Sequence, residues 1–267
     1  MLRARYNCLP TADRLKLMKV PWAQSGCCPL CGRPDSAGHL LGACLHKKAQ
    51  QGVVKRHNLA VKLVQRATRK GSLGAAVMFM DACPATDLPM GVAGTRLPGW
   101  LVPCAPGETR QWRPDLLLIA PPARPSPTDT SVLADLHSGN TPSAASLRHA
   151  KRHFRVFIME LGFVSESSDH WSDSIKRKAA QQDPLCRALT TAGWRHVSSL
   201  AVPVGSAGTI FDPTPASLAL LGLASAPCKR LMRALHMLAA HQAHSLLKLR
   251  QHLSRTQSRK LSRRRPP

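Results

Sequence analysis

The chain has 267 residues, and its 38 lysines and arginines against 14 aspartates and glutamates give a formal net charge of +24 at pH 7. Such a basic balance favours a polyanionic partner, either nucleic acid or an anionic membrane surface. We favour DNA or RNA and expect no membrane association, because no apolar run could span a bilayer and no signal-peptide-like stretch follows the first residues. The clustered, odd-numbered cysteines fit a reducing compartment with a metal site better than a disulfide-linked secreted domain.

A short helix is predicted over residues 11–19, and a cluster of metal-binding residue types follows it. Zn²⁺ is commonly held at tetrahedral corners by thiolates and imidazole. A segment this short has no core of its own, so metal binding would supply its folding free energy. The C-x2-C-x7-H-x4-C spacing therefore predicts a structural zinc knuckle within residues 1–49, with the ligands Cys28, Cys31, His39 and Cys44. Three neighbours leave the ligand set open: Cys8, Cys27 and His46.

Helical spacing of apolar residues predicts a helix over residues 50–69, with Lys55 and Arg56 among the basic residues of its polar side. His57 lies within this helix, where a histidine is commonly an ordinary surface or core residue. Residues 81–111 are rich in Pro and Gly and predict loops or short irregular strands. An apolar run then follows Asp115 and predicts a buried strand. Residues 121–150, rich in Pro, Ser, Thr and Ala, predict a flexible insertion.

A second strand is predicted over residues 154–163, where Glu160 interrupts an apolar run, and a buried carboxylate needs a partner or a metal. A helix over 171–192, a strand over 197–204, and helices over 215–223 and 228–253 follow, and the basic tail from Arg255 should lack structure without a partner. This order predicts an α/β domain over residues 50–225, with a small mixed sheet flanked by helices. Residues 226–267 are assigned to an amphipathic helix and a basic tail.

Two carboxylates and a lysine are the groups that metal-dependent phosphodiester hydrolysis needs, and Asp115, Glu160 and Lys178 or Lys176 could supply them. Carboxylate oxygens hold Mg²⁺, which polarises a phosphate and lowers the pKa of bound water. A lysine would orient that water or offset developing charge. Each residue also has an ordinary explanation, namely turn chemistry for Asp115, an exposed strand end for Glu160 and a solvated helix face for the lysines.

In combination, these motifs resemble the C-terminal region of non-LTR retrotransposon proteins that carry a restriction-like endonuclease. In that family a Cys-Cys-His-Cys knuckle precedes an Arg-His-Asn motif, an Arg/Lys-Pro-Asp motif and a later acidic residue. The resemblance covers roughly residues 1–225. The matching residues are the four knuckle ligands, Arg56-His57-Asn58, Arg113-Pro114-Asp115 and Glu160.

The resemblance implies a restriction-endonuclease-like fold of the PD-(D/E)xK class, with Asp115 and Glu160 as ligands of catalytic Mg²⁺ or Mn²⁺ and His57 near the scissile phosphate or a bound water. The separation of Asp115 and Glu160 is longer than in the family, which makes residues 121–150 an insertion. Gly162 stands where an E-x-K motif places its lysine, so the following helix is expected to supply Lys178, with Lys176 as the alternative.

The expected function is metal-dependent nicking of target DNA for target-primed reverse transcription. The implied partners are DNA or RNA and the reverse transcriptase portion of the same element, and the implied location is the nucleus. Two alternatives remain open from the sequence. One is a nucleic-acid-binding remnant that uses only the knuckle and the positive charge, and the other is a decayed product without activity.

Overall fold

A computed structural model describes residues 11–19, 26–80, 97–102, 112–164 and 171–262. A π-helical turn, His39–Ala43, lies just before the helix that begins at Lys47. No helix within these ranges combines the length and the apolar character needed to cross a membrane. The elements in chain order are α1 (Ala12–Leu17), α2 (Lys47–Arg69), β1 (Val77–Met80), β2 (Leu116–Ala120), α3 (Pro127–His137), α4 (Ala144–His153), β3 (Arg155–Val164), α5 (Trp171–Thr191), β4 (His196–Gly205), α6 (Pro213–Leu220) and α7 (Ser225–Ser262).

The described strands form one mixed sheet in the order β1-β2-β3-β4. The pairs β1–β2 and β2–β3 are antiparallel, whereas β3 and β4 are parallel. Because Leu116 at the start of β2 pairs with Met159 in the middle of β3, the preceding Asp115 and the following Glu160 become neighbours across the two strands. The predicted mixed sheet flanked by helices is confirmed, and this register brings its two candidate carboxylates together.

Helices cover both faces of the sheet, because alternate side chains of each strand point to opposite faces. Phe157, Met159 and Leu161 of β3 pack in one core with α2, α6 and α7. Val156 and Ile158 pack in the other core with α3, α4 and α5. The continuous apolar runs of β2 and β3 thus reflect burial on both faces, as the sequence pattern predicted.

The expectation that residues 121–150 are flexible is wrong, since the segment contains α3 and begins α4. Ser126 and Asp129 form a reciprocal capping box at the start of α3, with Pro127 at its first turn. His149 of α4 lies 2.7 Å from Asp129 and joins the two helices. Burial opposes ionisation of Asp129, yet hydrogen bonds from His149 and Ser126 lower its pKa to about 2. Ser and Pro therefore act here as helix-start residues.

Helix α7 packs with the α/β domain, although the sequence assigned residues 226–267 to a separate amphipathic helix and basic tail. Its apolar side packs in the same core as α2 and the sheet through Leu231 and Leu235. Arg250 forms a buried ion pair with Asp35, which precedes the π-helical turn. The helix continues to Ser262, so the tail expected to lack structure from Arg255 is helical over its described part.

The remaining difference concerns strand β1, which the sequence did not predict. This strand has four residues and ends directly before residue 81. Residues 81–96 and 103–111 lie outside the described part of the chain. Most of the predicted loop region 81–111 therefore falls outside the description. Residues 97–102 form a turn whose Leu101 carbonyl accepts a hydrogen bond from the buried Trp194 indole.

Candidate metal centre and candidate nuclease site

The four predicted ligands form a cysteine–histidine cluster (Cys28, Cys31, His39 and Cys44). Their ligand atoms all lie within 4.8 Å of one another, and no other group of three or more His, Cys, Asp or Glu side chains this close occurs among the described residues. The Sγ atom of Cys44 is 3.9 Å from that of Cys28 and from that of Cys31. Zn–S bonds of about 2.3 Å place tetrahedral sulfurs about 3.8 Å apart. The cluster is thus arranged to hold a metal ion such as zinc.

Local backbone structure explains why these residues meet. The amide of Cys28 donates to the Arg33 carbonyl, and the amide of Gly32 donates to the Cys28 carbonyl, at 2.7 and 2.9 Å, which closes a tight turn around Cys31. His39 opens the π-helical turn, and Cys44 follows it directly. The neighbours Cys27 and His46 are not members of the cluster, and Cys8 lies outside the described residues.

Without a metal ion, burial favours the neutral forms of Cys44 and His39, so a metal ion would have to displace the Cys44 proton. Burial raises the pKa of the Cys44 thiol to about 12, and the neighbouring Cys28 adds to this rise. Burial lowers the pKa of His39, which keeps its imidazole neutral and able to act as a ligand. Burial acts to raise the pKa of Cys31, but hydrogen bonds with the backbone of Arg33 and Leu45 and with the Cys44 and Cys28 side chains together lower it. A metal ion would stabilise the thiolates that burial alone disfavours.

Where β2 begins beside the middle of β3, the sequence-predicted carboxylates lie in contact with each other and with α2. Asp115 accepts a hydrogen bond from the Leu161 amide at Oδ2, at 2.8 Å, and its Oδ1 lies 2.8 Å from Nε2 of His57. The Asp115 amide donates to Oε1 of Glu160 at 3.2 Å. His57 reaches this point from the third turn of α2, so the helix with the Arg-His-Asn motif is joined directly to the Arg-Pro-Asp motif.

Helix α5 completes this site from the other side of the sheet. The Nζ atom of Lys178 is 3.9 Å from Oε2 of Glu160, and it donates to the Leu161 carbonyl at 3.3 Å. The structure therefore brings together the predicted residues of a carboxylate–lysine cluster (Asp115, Glu160 and Lys178), with His57 against it. Lys176, the alternative lysine, is exposed on α5.

Gly162 explains how a lysine from a helix reaches this position. A Cβ atom placed on Gly162 would lie 2.6 Å from Cδ and 2.8 Å from Cε of Lys178. Such distances are too short for non-bonded carbon atoms, so any other residue at 162 would displace the Lys178 stem. The glycine at the position of the E-x-K lysine thus makes room for the lysine of α5.

The proximity of the two carboxyl groups changes the acidity of Glu160. Burial raises its pKa, the nearby charge of Asp115 raises it further, and Lys178 only partly opposes these effects, which brings the pKa to about 7. Near neutral pH, the metal-free pair therefore retains a proton for much of the time, as expected for carboxylates forced together. Either a proton or a cation can balance the charge of such a pair.

The sequence assigned no role to Gln182, and it placed Arg56 on the exposed side of α2. Gln182, one helical turn after Lys178, donates from Nε2 to Oε1 of Glu160 at 2.7 Å. The signal available in the sequence was the four-residue spacing of Lys178 and Gln182, which places both on one face of a helix. Arg56 was assigned to the polar side of α2, but it is only 1% exposed. Its guanidinium donates to the Ser206 carbonyl, and the guanidinium carbon lies 4.1 Å from the centroid of the Phe163 ring. Burial lowers the pKa of this guanidinium to about 10.

Comparison of the chain with protein-family models and with curated proteins finds no match. The functional assignment therefore depends on the geometry of the two sites.

Proposed function

We propose that the chain is a metal-dependent DNA endonuclease of the restriction-like PD-(D/E)xK class that also carries a structural zinc knuckle. The observation that supports this most strongly is the contact of Asp115, directly before β2, with Glu160 in the middle of β3, and of Glu160 with Lys178, although α3 and α4 separate the two carboxylates along the chain. A purely structural carboxylate would be paired by one cation. Here two acidic groups and a lysine meet, and a carboxyl pKa is displaced to about 7.

In this proposal, Asp115 and Glu160 would hold Mg²⁺ or Mn²⁺, and the chemistry supplied at that position would be polarisation of the scissile phosphate and activation of a water. The Leu161 amide fixes Oδ2 of Asp115, and His57 restrains Oδ1, so the carboxylate is held before substrate binds. Lys178 offsets the negative charge that grows on the phosphate during attack. Because Nε2 of His57 faces Asp115, Nδ1 is the nitrogen that can contact a phosphate oxygen or exchange a proton with water.

The motif resemblance supports the further proposal that this activity belongs to a non-LTR retroelement. The proposed role is nicking of chromosomal target DNA in the nucleus, where the exposed 3′ end primes reverse transcription by the polymerase portion of the same element. The net charge of +24 supports DNA or RNA as the partner, because phosphates are the ligands that such a surface attracts. The charge and the knuckle alone would equally support a nucleic-acid-binding protein without catalysis, and the carboxylate–lysine cluster is what favours the nuclease.

For the cysteine–histidine cluster we expect one zinc ion per chain, because three thiolates and an imidazole complete a closed tetrahedral site. Elemental analysis of the purified protein measures this directly. Cys31→Ser should lose most of the metal, while Cys186→Ser, at a free cysteine on α5, should retain it. A metal content well below one per chain in the parent, or a full content in Cys31→Ser, would contradict the zinc assignment.

Nicking should increase with pH across the range around 7, because Glu160 must lose its proton before it can bind a cation. Metal and proton compete for the same carboxylate, so raising the Mg²⁺ concentration should move the midpoint of the pH profile to lower pH. Initial rates of supercoiled plasmid nicking between pH 5 and 8, at several Mg²⁺ concentrations, test this expectation. A nicking rate that falls as pH rises over this range would exclude Glu160 as a metal ligand. So would a pH-profile midpoint that does not change with the Mg²⁺ concentration.

A further inference from the structure

Gln182 is a buried amide in direct contact with the carboxylate–lysine cluster, and the proposed chemistry gives it no role. Its side chain is 9% exposed on the inner side of α5. We propose that Gln182 is a positioning residue that fixes the orientation of the Glu160 carboxylate, so that Oε2 is the oxygen left for a divalent cation. This inference rests on the proposed nuclease function and names the residue that prepares its metal ligand.

The hydrogen bonds of Glu160 separate its two oxygens. Oε1 accepts from the Gln182 amide at 2.7 Å and from the Asp115 backbone amide at 3.2 Å. Oε2 has Lys178 at 3.9 Å, which is too long for a hydrogen bond. Because the terminal torsion of a glutamate is broad and roughly two-fold, an unrestrained carboxylate would rotate between orientations. The two donors on Oε1 remove this freedom and direct Oε2 towards the lysine.

An amide side chain is better suited to orienting the Glu160 carboxylate than a charged or an apolar side chain. A lysine or arginine at 182 would bring a positive charge against Glu160 and compete with the metal cation. An apolar residue would fill the buried space but donate no hydrogen bond. An amide orients the carboxylate and adds no net charge. Burying a polar amide costs free energy unless it is hydrogen-bonded, and the bond to Glu160 supplies that partner.

The experiment compares divalent cation binding to zinc-loaded protein, without DNA, by isothermal titration calorimetry with MnCl₂. Gln182→Met keeps the length of the side chain and removes the donor. Loss of a hydrogen bond that orients a metal ligand typically weakens metal binding by about 10–100-fold, and we expect a loss in that range. Gln181→Met makes the same chemical change at the exposed neighbouring position and should bind Mn²⁺ as the parent does.

Gln182→Asn provides a second variant if the methionine variant folds poorly, because its amide stops short of Glu160 and should weaken binding in the same way. The Mn²⁺ concentration for half-maximal nicking should rise in parallel, while the rate at saturating Mn²⁺ changes less. Folded Gln182 variants that bind Mn²⁺ as tightly as Gln181→Met would overturn this inference and leave the nuclease site standing. A parent whose isotherm equals that of Asp115→Asn would instead remove the proposed metal site, and the role of Gln182 with it.

Discussion

Replacing Asp35 with Asn should lower the free energy of unfolding by about 3–5 kcal/mol, the usual cost of removing one partner from a buried ion pair. Asp35 is 0% exposed and accepts hydrogen bonds from the Arg250 guanidinium and from the amide of Ala12. It thereby joins the start of α1, the loop of the cysteine–histidine cluster and α7. With asparagine at 35, the buried charge of Arg250 (5% exposed) would have no carboxylate to balance it.

Denaturant unfolding of the zinc-loaded protein measures this effect. Asp183→Asn makes the same change at an exposed position of α5 and should alter stability by less than about 0.5 kcal/mol. A loss below about 1 kcal/mol in Asp35→Asn would show that the pair does not hold α7 to the metal-binding loop. Zinc content, measured on the same samples, separates loss of the ion pair from loss of the metal.

Placing a methyl group on Gly162 should slow nicking by about 100-fold or more, because it would occupy the space of the Lys178 stem. The added Cβ would lie 2.6 Å from Cδ of Lys178, and displacement of a catalytic group by about 1 Å commonly costs this much in rate. DNA affinity should remain that of the parent, since the change removes no surface charge. The measurement is the initial nicking rate of Gly162→Ala in Mg²⁺, together with its DNA affinity in EDTA.

A lysine exchange tests the same geometry from the opposite direction. Lys178→Ala alone should lose most of the activity, whereas Gly162→Lys combined with Lys178→Ala returns the ammonium to the strand position of the E-x-K motif and should recover part of it. Lys176→Ala, at the exposed alternative lysine, is the matched control and should cut nearly as the parent does. A Lys176→Ala defect with intact Lys178→Ala activity would reverse the assignment of the two lysines.

The elements that the sequence predicted well are those with a strong periodic signal. Strands β2 and β3 follow from apolar runs, and α2 follows from the helical spacing of its apolar residues. The pairing of Asp115 with Glu160 could be anticipated because both mark positions where polar residues meet apolar strand runs. The proximity of Lys178 to Glu160 was expected from the resemblance, because Gly162 stands where the E-x-K motif of that family places its lysine and the following helix was left to supply one.

Other features depend on information that a single sequence carries ambiguously. Composition rich in Ser and Pro describes a flexible segment and a capped helix start equally well, which is why α3 and α4 were missed. Arg56 lies among basic surface residues in sequence, and only the packing of α2 against Phe163 shows that it is buried. The pairing of Asp35 with Arg250 joins residues from nearly opposite ends of the chain, and no local pattern indicates such a contact.

The most direct test of the proposed nuclease is the conversion of supercoiled plasmid to nicked circles by zinc-loaded parent protein in Mg²⁺ or Mn²⁺, with Asp115→Asn purified and assayed in parallel. We expect the parent to nick in either metal and to stop in EDTA. Asp115→Asn should fall to background while binding DNA equally or more tightly, because a negative charge that faces phosphate is gone. A parent that binds DNA but never cuts with any divalent metal, or an Asp115→Asn variant that cuts as well as the parent, would contradict the nuclease assignment. The first of these outcomes would leave a nucleic-acid-binding retroelement remnant as the better description.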